Sequence, residues 1–112
     1  MSSISYLGYE LERAAAHLRQ LADDLEGIAA GTAPTAALLA AAPVLSQWRP
    51  ELTPRNDPAI SGVVTGHDSI TDGDVVYIEL IAGDPDMRWI KSFTGWYVLG
   101  TPADGVEGCG HA

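Results

Sequence analysis

The sequence predicts an α+β fold, with a long N-terminal helix and a short second helix packed on one face of a small antiparallel sheet of three or four strands. Three observations carry this. Leu7, Leu11, Ala14, Leu18, Leu21, Leu25 and Ile28 recur at alternating spacings of four and three, the period of an amphipathic helix. From Ala59 onward the period becomes two and the residues become β-branched or aromatic, as on a half-buried sheet. Between the halves, Pro50, Pro54 and Pro58 each remove a backbone donor, which reads as an extended connector with at most a short edge strand.

The apolar stripe gives a first helix of about seven turns. Ser3 or Ser5 is its expected cap, and Gly31 its expected stop in a left-handed conformation. Thr32 to Thr35 reads as a tight turn, and Ala36 to Pro43 as a helix too short to stand alone. Val44, Leu45 and Trp48 supply apolar anchors, and 49–58 is the connector. Strands follow at about Ile60–Thr65, Val75–Ala82 and Arg88–Phe93, the last two joined as a hairpin through Gly83-Asp84-Pro85-Asp86. Val76, Ile78 and Leu80 share one face of the second strand, and Val75, Tyr77, Glu79 and Ile81 the other. Trp96–Leu99 continues the sheet or adds a fourth strand. The reading is one domain over 1–100, helical over 3–48 and β over 59–100, with a flexible tail at 101–112.

With 15 acids against 6 bases the chain of 112 residues carries a net charge of −9, so nucleic acid and anionic membrane surfaces are poor direct ligands. No basic leader and no run of about 18 apolar residues is present. Cys109, the single cysteine, excludes an intrachain disulfide and fits a reducing cytoplasm. Asp68, Asp72, Asp74, Glu79, Asp84 and Asp86 fall within 19 residues that hold no Lys or Arg. They form the expected interaction surface, with Trp96 as an aromatic anchor if exposed.

Other chemistries have weaker patterns. His67, Asp68, Asp72 and Asp74 invite a metal or acid–base reading, but the loop lacks the ligand positions of a calcium loop and is more simply a turn between strands. Cys109 and His111 supply half a metal site at most. Neither a Gly-X-Ser-X-Gly elbow nor a phosphate-cradling glycine loop occurs. No catalytic residue, metal or cofactor is expected. On the first helix, Leu11, Leu18, Leu21 and Leu25 form a heptad-like seam, whose alternative to covering the sheet is a homodimer.

Gly31 to Thr35, Ala42-Pro43-Val44-Leu45-Ser46-Gln47-Trp48, Gly66-His67, Trp89 and Trp96-Tyr97-Val98-Leu99-Gly100 resemble a family of small bacterial proteins known only as a domain of unknown function. The likeness spans about Leu11 to Gly100. It departs at Phe93-Thr94-Gly95, where the family carries a basic, aromatic stretch. The resemblance implies one bacterial domain and transfers no active site. The functional expectation is therefore a small acidic, non-enzymatic module that occupies a basic site on a protein partner. Its most concrete form is an inhibitor of a nucleic-acid-handling complex, of the anti-CRISPR or other anti-defence type. The alternatives are a homodimeric regulator or scaffold, and a metal-dependent enzyme centred on His67.

Overall fold

The structure, a computed structural model, describes residues 10–105. The chain divides into two compact units between Thr35 and Ala36.

In the first unit, α1 runs from Leu11 to Ala30. Glu10 holds the N-cap position in an extended conformation with no side-chain capping bond. The caps expected at Ser3 or Ser5 lie outside the described residues. The stop is the expected one: Gly31 has φ 78°, and its N–H donates to Ile28 O at 3.1 Å. Thr32 and Ala33 then donate to Gly27 O at 2.9 and 3.1 Å, which folds the chain back over the last turn. A Cβ on Gly27 would come within 2.8 Å of the Ala33 methyl, so this helix carries a glycine near its end despite the propensity cost. Of the seam residues only Leu21 is buried; Leu11, Leu18 and Leu25 are exposed.

The second unit opens with α2, Ala36–Ala41, and continues as five strands: β1 Val44–Leu52, β2 Pro58–Thr65, β3 Val75–Gly83, β4 Trp89–Ser92 and β5 Trp96–Leu99. They form a closed barrel in sequence order, a larger sheet than the three or four strands expected. Each consecutive pair is antiparallel. Four reversals bring β5 back to the direction of β1, so the closing pair is necessarily parallel, with Val44 opposite Val98 and Leu45 opposite Leu99.

The missed element is β1. Residues 44–48 were read as apolar anchors and 49–58 as a connector, yet Val44–Leu52 is one strand against β2, broken by a bulge between Ser46 and Arg49. Pro50 is tolerated because β5 pairs only with the start of β1. Past the bulge β1 has β2 alone as a partner, and an edge does not need the missing N–H.

At the bulge Gln47 takes φ 51° and its N–H donates to Thr101 O at 2.6 Å. The Trp48 carbonyl accepts from Ala103 N–H at 2.9 Å, and Trp48 bridges Pro102. Thr101 to Ala103, expected as the start of a flexible tail, is therefore an extension of the closing seam. The rest of that tail, from 106, lies outside the described residues.

Leu45, Trp48, Ile60, Val64, Ile78, Ile90, Tyr97 and Leu99 fill the barrel interior, with Val76, Leu80, Ile70 and Met87 against them. A barrel this small is plugged by its own side chains. The cluster comes wholly from the second unit, so closure of the sheet supplies that unit's core. The expected alternation on β3 holds: Ile78 is buried, while Val75, Tyr77 and Glu79 face solvent.

Candidate functional site

One rim of the barrel gathers the start of β1, the loop after β2, and the turn between β4 and β5. Between them lies a cavity of about 330 Å³. Its apolar side is Leu38, Ala41, Ala42 and Pro43, from α2 and the link that leads into β1. Its other sides are Gly66, His67, Asp68 and Ser69 from the loop, and Thr94, Gly95, Trp96 and Tyr97 from the turn and β5.

The loop is held by its own short-range bonds. Gly66, at φ 81°, donates its N–H to Asp72 Oδ1 at 2.8 Å. Gly73, at φ 94°, donates to Val64 O at 2.8 Å, and Asp74 O accepts from Val64 N–H at 3.0 Å. Both glycines adopt a left-handed conformation that most side chains resist. His67 Nδ1 accepts the Ser69 N–H at 3.0 Å, so a neutral His67 carries its proton on Nε2. Its ring stacks on Tyr97, centroids 6.0 Å apart and planes 26° apart.

On the opposite wall, Ser92 closes the β4–β5 turn: its Oγ accepts from the N–H groups of Thr94 and Gly95 at 3.2 and 3.1 Å. Trp96 packs edge-on against Trp89 with centroids 5.6 Å apart. The buried Lys91 donates from Nζ to Ser92 O at 3.1 Å and lies 5.3 Å from the Trp96 ring centre. Tyr97 is 5% exposed, and burial pushes its phenol above the ordinary range. No hydrogen bond ties the Tyr97 hydroxyl to another described residue.

The expected acidic surface does not stay together. Asp68, Asp72 and Asp74 are exposed on the loop at this rim. Asp84 and Asp86 lie beyond the other end of β3, roughly 26 Å away at the usual rise of a nine-residue strand. Glu79 projects from the strand between them. One acidic face is thus two separate acidic ends. Asp84 is also engaged within its own turn. It is 5% exposed and accepts from Asp86 N–H at 3.2 Å, Arg88 N–H at 3.1 Å and the Arg88 guanidinium. It is the brace of the β3–β4 turn. Trp96 is half-buried and lines the cavity.

His67, Asp68, Asp72 and Asp74 do not converge: among the described residues no three His, Cys, Asp or Glu side chains are placed to hold a metal ion. Asp72 turns back to Gly66, and His67 to Ser69. Cys109 and His111 lie outside the described residues. No helix among those residues is long and apolar enough to cross a membrane.

Sequence reasoning placed neither Tyr97 nor α2 at a site. A signal was nonetheless present: Ala42-Pro43, Gly66-His67 and Trp96-Tyr97, all segments that carry the family resemblance, line this one cavity. Fold and site together define a small α+β protein whose five-stranded barrel opens at one acidic, aromatic rim. The chain belongs to the family of unknown function DUF6634, whose model matches residues 15–110. No curated protein and no solved structure matches it.

Proposed function

We propose that this protein is a small non-enzymatic interaction module that docks the 66–74 rim of its barrel on a basic surface of a protein partner. The observation that supports it most is the exposure of Asp68, Asp72 and Asp74 on one loop, beside a cavity whose lining contains no Lys or Arg. Such a surface steers toward positive charge and away from phosphate backbones. A partner's nucleic-acid-binding site carries that positive charge, so an inhibitor that competes for it, of anti-CRISPR or other anti-defence type, is the concrete form of this reading.

The test compares immobilised wild type with an Asp68→Asn, Asp72→Asn, Asp74→Asn triple variant for capture of a partner across a salt series. Asn at 72 retains the oxygen that accepts from Gly66. Expected is a partner with a basic nucleic-acid site, released by salt and lost in the triple variant; capture that survives both changes overturns the reading.

A second reading has its own observation. Leu11, Leu18 and Leu25 recur every seven residues on α1 and are 47%, 42% and 38% exposed, a seam that suits a second copy of the helix. Sedimentation equilibrium across a dilution series decides it: a monomer at all concentrations removes the homodimeric regulator or scaffold.

A further inference from the structure

We propose that the rim cavity is a receptor for a single arginine side chain. This rests on the docking of the acidic rim to a basic partner and names the group that the partner inserts.

Size comes first. At about 330 Å³ the cavity lies at the bottom of the roughly 300–1,000 Å³ range of small-molecule sites, a volume suited to one long side chain rather than to a cofactor.

Charge comes second. Asp68 is the one charged group of fixed sign in the lining. It is exposed, and no ion pair or hydrogen bond engages it within the described residues. Lys91, whose ammonium lies 5.3 Å from the Trp96 ring centre and donates to Ser92 O, is not itself in the lining. A group entering here meets an open carboxylate in a lining that holds no Lys or Arg, which favours a cation.

The walls then select among cations. Trp96, Tyr97 and His67 present aromatic surface, on which a planar guanidinium stacks as well as being attracted by the ring quadrupole; a compact ammonium gains only the second effect. The guanidinium also offers several N–H donors in a fixed fork, enough for the Asp68 carboxylate and a further acceptor. The acceptor assigned to it is Tyr97, a lining residue 5% exposed whose hydroxyl no described residue engages. Its phenol, which burial pushes further above the ordinary range, is a neutral hydroxyl at neutral pH. On the far side Leu38, Ala41 and Pro43 supply the apolar surface that the methylene stem of an arginine covers.

The experiment uses N-acetyl-L-argininamide, N-acetyl-L-lysinamide and the neutral isostere N-acetyl-L-citrullinamide as probes, titrated into the isotope-labelled full chain and followed by amide chemical shifts. Expected are saturable shifts centred on residues 66–69 and 94–97, with a dissociation constant on the order of 1 mM for the arginine probe. The citrulline probe and the Asp68→Asn variant should each bind at least about tenfold more weakly. Asp72→Asn with Asp74→Asn, which leaves the lining intact, should change the probe affinity by less than about twofold. Equal binding of citrulline, tighter binding of lysine, or no saturable shift at these residues overturns the proposal. Because the probe carries no partner surface, its failure removes the arginine pocket alone; loss of salt-sensitive partner capture is a separate result that removes the docking reading.

Discussion

The indole N–H of Trp48 donates to the carbonyl of Gly100 at 2.8 Å, joining two residues 52 positions apart. Trp48 is on the bulged strand β1 and Gly100 follows β5, so this bond sits on the seam that closes the barrel. Beside it, Gly100 N–H donates to Leu45 O at 2.8 Å and Val98 N–H to Pro43 O at 2.9 Å. Trp48 thus fills the core and locks the seam.

Trp48→Ala should therefore cost about 3–5 kcal/mol of stability, the range for a buried large-to-small change. Trp48→Phe should fall between wild type and Ala, because it restores much of the ring but not the N–H. Urea denaturation midpoints read both. A cost for Trp48→Ala within about 0.5 kcal/mol of zero, the usual effect of a surface change, contradicts the assignment.

Two glycines separate packing from backbone freedom. A Cβ on Gly62 would sit 3.1 Å from Ser46 O and 3.3 Å from Trp48 Cα and Cβ, whereas one on Gly95 meets nothing within 4 Å. Gly62→Ala should destabilise, because overpacking of about 1–3 kcal/mol exceeds the roughly 0.4–1 kcal/mol gained by restricting the unfolded chain. Gly95→Ala carries only the second effect and should be neutral to slightly stabilising. Thermal melts of the pair show whether β1 and β2 approach as closely as described.

Asp84 sets an acid limit. Its carboxyl lies below the ordinary carboxylate range, chiefly because the Arg88 side chain donates to it and further through the Asp86 and Arg88 backbone N–H groups. A depressed folded-state value means that the stability it contributes is present above the unfolded value of about 3.9 and drains away as the pH falls through the folded one. Wild type should lose stability below about pH 4, and Asp84→Asn should flatten that part of the curve. At neutral pH Asp84→Ala should cost about 1.5–3 kcal/mol, the range for hydrogen bonds to a charged group. Denaturation midpoints between pH 2 and 7 check the slope, and identical slopes for wild type and Asp84→Asn count against the brace.

The α1 seam gives a further contrast. Leu18 and Leu25 are 42% and 38% exposed, while Ile60 is 1% exposed. Leu18→Ala and Leu25→Ala should each cost less than about 1 kcal/mol in a monomer, against about 2–5 kcal/mol for Ile60→Ala. If the seam pairs with a second copy, the cost for both leucines should grow with protein concentration. Melting curves at two concentrations separate the cases.

How much of this was legible in the sequence follows from how local each feature is. The α1 stripe, the Gly31 stop, the alternation in β3 and the hairpin turn at 83–86 depend on neighbours a few positions away, and all are present. β1 was hidden because Pro50 contradicts a strand unless its far side is an edge, and only the register of β5 makes it one. Closure was hidden for the same reason: Val44 and Val98 carry no mutual signal in the sequence. The acidic stretch is divided for a different reason. Nearness along the chain suggested nearness in space, but a nine-residue strand carries Asp84 and Asp86 to the opposite end from Asp68. The cavity depends on three segments meeting across the rim, and the shared family motifs were the sole trace of it.

The parallel closing pair has one more consequence. The starts of β1 and β5 lie on the same rim, so two walls of one cavity, Pro43 just before the first strand and Tyr97 in the last, come from opposite ends of the barrel sequence. No partly folded chain lacking its last strand holds that cavity, whatever its earlier hairpins have achieved, and such non-local pairing is the slow part of folding. On the proposed reading, capture at the rim reports completed folding: a nascent or truncated copy stays silent until residues 96–99 have docked.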